Sequence, residues 1–363
     1  MRIRVVLALL VVAAACGDDS GTTTSLPSDG ASTTTGSTAT TTTRVPIEGE
    51  LWGFTPFPAR PDLNGVIEAY RIADDHGNLI AHHLDECVPW DAMLNHTELP
   101  YDTGDRLQLR VEQSPPDSVV YVAVSFTSIT RDEIAPECGA IGPPGSFGDP
   151  AALTAARAWV DHLIARFDPM FFNVGVEFNL FGSHRPDQAA EFEAFTLDLI
   201  DHIHATHPGV TVLVSVQFET LGEVAEVATV ADAADLVGVS IYPTAFGAAT
   251  PPAEDALDDL VSLGKPLAIA ETGWPGAPTV VGGSIRPFTE QGQAAYVEWL
   301  GAMVARHDLK FVVWFFPADP GPVFATGPPE LQSIAEPFAT MGLVSDDRVD
   351  RAALEVWDRL REG

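Results

Sequence analysis

The chain has 363 residues and carries 19 Lys and Arg against 51 Asp and Glu, a formal net charge of −32 at pH 7. So acidic a balance repels phosphate backbones and anionic surfaces, which disfavours nucleic acid as a partner and leaves neutral polymers as easier ones. The length is within the range of one α/β barrel behind an N-terminal extension.

Arg2 and Arg4 precede an apolar run over residues 5–12, then Ala13, Ala14, Ala15 and Cys16. The run is too short to span a bilayer, so residues 1–15 are expected to be a signal peptide. Small residues directly before Cys16 resemble a bacterial lipobox, although Ala13 stands where many have Leu. The resemblance implies cleavage before Cys16 and lipidation of its thiol. The protein is then exported and lipid-anchored to the bacterial cell membrane, with its domain extracytoplasmic and no other membrane contact. An ordinary secretory signal with an incidental Cys is the alternative. Residues 16–50, the lipid-bearing Cys and a Thr, Ser and Gly-rich stretch, have too few large apolar side chains to offset their ordering entropy. They form a disordered linker that holds the domain roughly 30 Å from the lipid.

Residues 51–363 are expected to form a single (β/α)8 barrel, the TIM-barrel architecture. Strand-like runs fall at 51–57, 79–83, 119–126, 171–177, 210–218, 236–242, 266–271 and 310–316. Helix-like segments alternate with them, at 62–75, 150–167, 188–206, 221–231, 254–263, 290–306 and 351–361, with a weak one at 91–96. No Gly-x-Gly-x-x-Gly turn follows any strand, which favours a closed barrel over an open dinucleotide-binding sheet. The two cysteines of the domain, Cys87 and Cys138, lie in loops after consecutive strands. Even parity in an exported chain points to a disulfide, with two free thiols as the alternative.

Glu177 and Glu271 each end a strand. Side chains at the C-terminal strand ends of a barrel converge on one mouth, and two carboxylates from opposite walls can flank a glycosidic bond. Alternation predicts Asn173, Gly175 and Glu177 on one inward face of strand four, and Leu267, Ile269 and Glu271 on that of strand seven. His82, His83 and Asp85 end strand two, but no second cluster completes a metal site. One of the two histidines is expected to point into the mouth as a sugar hydrogen-bonder, with Trp90 lining the same subsite. His202, His204 and His207 are expected on a solvated face. The glycines near 281–284 lack a P-loop lysine, and no Gly-x-Ser-x-Gly elbow occurs. Neither a metal nor an organic cofactor is expected, and the chain is expected to be a monomer.

Ala268-Ile269-Ala270-Glu271-Thr272-Gly273-Trp274-Pro275 resembles the strand-seven nucleophile motif of clan A glycoside hydrolases, closest to endo-β-1,3-glucanases and endo-β-1,4-galactanases. Val174-Gly175-Val176-Glu177-Phe178-Asn179 is similar to the acid/base motif of strand four. Residues 237–243 resemble strand six, 312–315 strand eight, and 342–347 with Ala352 and Trp357 the last unit. The resemblance covers most of the second half, whereas the first half matches only in pattern. It implies a retaining double displacement on a β-linked polysaccharide or oligosaccharide, with Glu271 as nucleophile and Glu177 as acid, then base. It further implies that Tyr242 orients Glu271 and keeps it ionised, and that Trp314 forms a platform under the sugar. The clan usually places Asn before the acid/base, where this chain has Val176; Asn179 or Gln217 is expected to substitute. Two other classes compete. One is a non-catalytic carbohydrate-binding or envelope-scaffold lipoprotein on the same barrel, and the other a two-lobed solute-binding lipoprotein.

Overall fold

The computed structural model describes residues 50–139, 142–326 and 335–363. The expected signal peptide, lipid-bearing Cys16 and most of the linker lie outside the described residues. Eight parallel strands close into one barrel: β1 (Leu51–Phe54), β2 (Leu79–Leu84), β3 (Val119–Val124), β4 (Phe171–Gly175), β5 (Thr211–Gln217), β6 (Leu236–Ile241), β7 (Leu267–Thr272) and β10 (Phe311–Trp314). Each pairs with the next around the ring, and β10 returns to β1 with Leu51 opposite Phe311 and Phe54 opposite Trp314. One ring accounts for the domain, which removes the two-lobed alternative. At the β1–β2 seam the walls meet so closely that a Cβ on Gly53 would stand 2.0 Å from the Leu79 carbonyl oxygen, so only glycine fits.

Alternation sorts the strand residues into two apolar populations. Leu79, Ala81, Tyr121, Ala123, Phe171 and Phe311 fill the barrel's interior, where the Phe311 ring lies 4.8 Å from Phe171 and 5.1 Å from Tyr121. Their neighbours face the helices and form the larger core. Helix starts follow local chemistry: Asp62 accepts the Gly65 amide, Asp149 caps a helix with Pro150 in its first turn, and Thr289 accepts the Gly292 amide. The C-terminal helix Ala352–Glu362 closes the ring. Trp357 donates its indole N–H to the His76 carbonyl and sits edge-on to Trp52 at 4.8 Å.

The structure adds elements that hydrophobic periodicity did not signal. Residues Tyr101–Gln113 form a helix that buries only Thr103 and Leu107. The glycines near 281–284 make a hairpin between β8 (Thr279–Val281) and β9 (Ser284–Arg286), with Gly282 and Gly283 both at positive φ, as a two-residue turn of this hand requires. Cys87 and Cys138 form a disulfide with Cα atoms 5.1 Å apart, joining the loops after the paired strands β2 and β3.

Candidate active site

The simple alternation expected for strands four and seven does not hold. Ala268 and Ala270, not Leu267 and Ile269, fill the interior. The register of β7 then shifts against both neighbours beyond Ile269, so that Glu271 turns inward opposite Ser240. On β4 the register shifts between Asn173 and Gly175, Gly175 faces Thr196 of the surrounding helix Ala189–Thr206, and Val176 joins the interior cluster. Both glutamates thus sit beyond irregularities that reset which way a side chain points. Glu177 is itself left-handed at φ 51°, which for a non-glycine residue stores strain. Its amide donates to Ser215 Oγ, which also accepts the Asn173 side-chain amide.

Glu177 and Glu271 are each 1% exposed. Around them stand His83 and Asp85 from the end of β2, Arg131 from the loop after β3, Ser240 and Tyr242 from β6 and its end, and Phe315 after β10. The Tyr242 hydroxyl donates to Glu271 Oε2 at 3.3 Å. His83 Nδ1 is 3.4 Å from Glu271 Oε1 but makes no hydrogen bond, and its ring lies 4.9 Å from Phe315. Arg131 donates Nε to Glu177 Oε2 at 3.2 Å and Nη2 to Asp85 Oδ2 at 3.3 Å. Several buried polar atoms here lack a hydrogen-bond partner: Asp85 Oδ1, Glu177 Oε1, Glu271 Oε1, Ser240 Oγ and both His83 nitrogens. Buried polar groups are ordinarily paired, so such a concentration marks a place for a polar ligand.

Burial, then the charges of Glu177 and Asp85, push the Glu271 carboxyl well above the ordinary glutamate range, against the pull of Arg131 and the Tyr242 hydroxyl. Burial also raises Glu177, opposed first by the Arg131 guanidinium. The expectation that Tyr242 keeps Glu271 ionised therefore needs correction: burial and the neighbouring carboxylates outweigh the Tyr242 hydroxyl, and the buried cation stands on Glu177. Burial, followed by Arg110 and Arg131, pushes the His83 imidazole down to about 3, so it is neutral. Glu219, just beyond β5, accepts the Tyr242 backbone N–H at 2.8 Å, and burial raises its carboxyl to about 7.

Other expected contacts fall elsewhere. Trp314 faces outward, fully buried, with its indole N–H on the Met341 carbonyl and its ring near Trp357 and Tyr296. It is core, and Phe315 one residue later is the inward aromatic. Trp90 is buried under the β3 loop with its N–H on the Ala135 carbonyl. His82 points to the helical layer, against Phe167 and Ser114, while His83 points to the mouth. Asn179 and Gln217 bind each other: Asn179 Oδ1 accepts the Gln217 amide N–H and its Nδ2 donates to the Gln217 carbonyl, while the Gln217 side chain is taken by Thr220 and Glu219. They fasten strand ends together. Arg131 and Glu219 escaped sequence reasoning; the available signal was a lone Arg a few residues beyond a strand end, in a chain poor in cations.

An apolar cluster that includes Phe57, Phe315, Phe316, Phe324 and Phe338 adjoins the mouth, with Phe338 edge-on to Tyr242 at 5.4 Å and Phe315 against His83. A depression of about 670 Å³ lined by Arg60, Asn64, Ile67, Glu68, Arg71 and Arg348 lies away from these carboxylates. Its arginines are already paired with Glu68 and Asp75, whereas the buried unpartnered oxygens of Asp85, Glu177 and Glu271 gather at the mouth.

No protein-family model and no curated protein matches the chain. Its fold is similar to that of solved glycosidase barrels. A GH5_18 from Bifidobacterium longum subsp. infantis has a TM-score of 0.63 at 15% identity, over 87% of this chain and 79% of that one. A fungal β-1,4-galactanase gives 0.56 at 15% identity, over 80% and 90%. A family 17 β-1,3-glucanosyltransferase from Rhizomucor miehei gives 0.54 at 14%, over 85% and 97%. The closed eight-stranded barrel and these neighbours fit the clan A resemblance.

Proposed function

We propose that the chain is a surface-anchored retaining glycosidase or transglycosidase acting on a β-linked polysaccharide. The observation that carries this is the convergence of Glu177 and Glu271 from β4 and β7 on one mouth, with the Tyr242 hydroxyl on Glu271. The two carboxyls raise one another's proton affinity, so they share a proton, and the reactive form is the one that carries it on Glu177: ionised Glu271 attacks the anomeric carbon while Glu177 gives its proton to the departing glycosidic oxygen. Water, or a hydroxyl of a second sugar, then breaks the glycosyl ester as Glu177 takes that proton back. The unpartnered oxygens of Asp85, Glu177 and Glu271 and the ring of His83 are acceptors suited to sugar hydroxyls.

The test is turnover of a panel of chromogenic β-glycans by wild type and Glu271→Ala. Hydrolysis or transfer by the wild type alone is the expected result. Anchoring is tested separately: Cys16→Ala should release the protein from membranes into the medium, and retention would remove the lipid anchor from the proposal.

One observation favours a second reading, a glycan-binding scaffold without turnover. The two carboxylates are each 1% exposed, and Val176 offers no hydrogen bond beside Glu177. A wild type that binds a glycan and cleaves none of the panel would select it.

A further inference from the structure

Arg131 is among the most constrained side chains of the barrel. It is 2% exposed and its backbone is left-handed at φ 55°. Its Nη1 is taken by Ser125 Oγ at 2.9 Å and the Ser128 carbonyl at 3.4 Å, and its own carbonyl accepts from His184 Nδ1. What remains is the guanidinium edge formed by Nε and Nη2. In a rigid planar fork these two donors point the same way, so the carboxylates they hold lie side by side. Those carboxylates are Glu177 and Asp85. One cation is thus shared by two buried carboxyl groups, and each keeps one unpartnered oxygen, Glu177 Oε1 and Asp85 Oδ1.

We propose that Asp85 sets the proton affinity of Glu177, with Arg131 as the positioning residue that clasps the two carboxylates on one edge. This rests on the assignment of Glu177 as the acid and names a residue of that site whose effect is electrostatic. The titratable and charged groups around Glu177 are His83 and Asp85 at the end of β2, Arg131 from the β3 loop, Glu219 beyond β5, Tyr242 beyond β6 and Glu271 from β7. Neutral His83 adds no charge. Asp85 and Arg131 act on Glu177 with opposite sign, the first raising and the second lowering its hold on a proton.

Substitutions of the two should therefore move Glu177 in opposite directions, which a merely structural role would not do. The carboxyl of Glu177, assigned by its loss in Glu177→Gln, is titrated by carbon NMR in the intact domain with labelled glutamate. Asp85→Asn should lower the midpoint by about one pH unit and Arg131→Met should raise it by a similar amount, the usual size for a close charge. Arg131→Lys keeps a cation without the two-donor edge, so it should raise the midpoint by less than about one unit, which tests the claim if the Met variant does not fold. In parallel, the basic limb of kcat/KM on an activated aryl β-glycoside should follow the same order, because it reports loss of the acid's proton. Shifts of the two variants in the same direction, or an Asp85→Asn midpoint unchanged within about 0.3 units, would overturn the proposal. If no glycoside is turned over but the midpoints move as stated, the pairing stands and the enzyme assignment falls. Turnover with unmoved midpoints reverses that outcome.

Discussion

Glu177 and Glu271 differ in their company, and that difference determines what each should do when removed. Glu271 receives a tyrosine hydroxyl and stands beside a neutral histidine; Glu177 is held by a guanidinium at a strained backbone position. Under the proposed mechanism, Glu271→Ala should abolish turnover of every substrate, because no covalent intermediate can form. Glu177→Ala should still become glycosylated by substrates with activated leaving groups, which need little protonation, and mass spectrometry of the protein after mixing detects the adduct. An adduct in the first variant and none in the second would reverse the roles. That both glutamates reach the barrel mouth was legible in the sequence, because a carboxylate at a strand end has few structural uses. Trp314 was misplaced because a one-residue error of facing exchanges core for mouth, and its neighbour Phe315 has the orientation it was given. Val176 turns into the barrel's interior cluster, so Val176→Asn should bury an amide in that apolar interior and destabilise the fold by about 1–3 kcal/mol unless a partner is found, measured by urea denaturation.

The elements that aim these residues are the bulged ends of β4 and β7 and the loop after β3. Strand and helix order followed from periodicity, because apolar runs and amphipathic stripes are averaged over many residues. A bulge is one residue long and leaves no such average, so the facing of Glu177 and Glu271 was anticipated although the alternation used to derive it fails before each of them. The helix Tyr101–Gln113 was missed for a related reason, since it buries so little that no stripe is visible. Arg131 is placed by its loop, and that loop is tied to the β2 loop by Val88 N–H on the Pro136 carbonyl, Cys138 N–H on the Val88 carbonyl, and the Cys87–Cys138 disulfide. The bridge spans 51 residues of chain, for which the loop-closure model gives about 4 kcal/mol of stabilisation through the unfolded state. Replacing both cysteines by serine should lower unfolding free energy by about that amount in urea. A loss below about 1 kcal/mol would mean that the backbone ties alone hold the two loops.

At the scale of the molecule, the barrel concentrates acidic groups where water is excluded, and this makes its stability depend on pH in an unusual direction. Glu219 is raised to about 7 from 4.5, chiefly by burial, and Asp319 to about 6 from 3.8, again by burial and against the pull of its partner Arg351. Glu177 and Glu271 are raised as well. A carboxyl whose folded value exceeds its unfolded one contributes stability that is fully present below the unfolded value and lost as pH rises through the folded one. These groups therefore remove stability between about pH 4 and pH 7 and above, and the large net negative charge adds self-repulsion over the same range. The buried histidines act oppositely. His83, at about 3 rather than 6.5, and His82, also lowered by burial, favour the fold when neutral, so their contribution is present above the unfolded value and lost as pH falls below it. The two sets cross on the acid side of neutrality. Tm should consequently fall as pH is raised from about 7 to about 8, above the unfolded histidine value, where the imidazoles are mostly neutral in both states and the raised carboxyls still titrate. Glu219→Gln should flatten part of that fall, since an amide keeps the acceptor for the Tyr242 N–H without the charge. A Tm that rises or stays level over this interval would show that the mouth carboxyls are hydrated in solution.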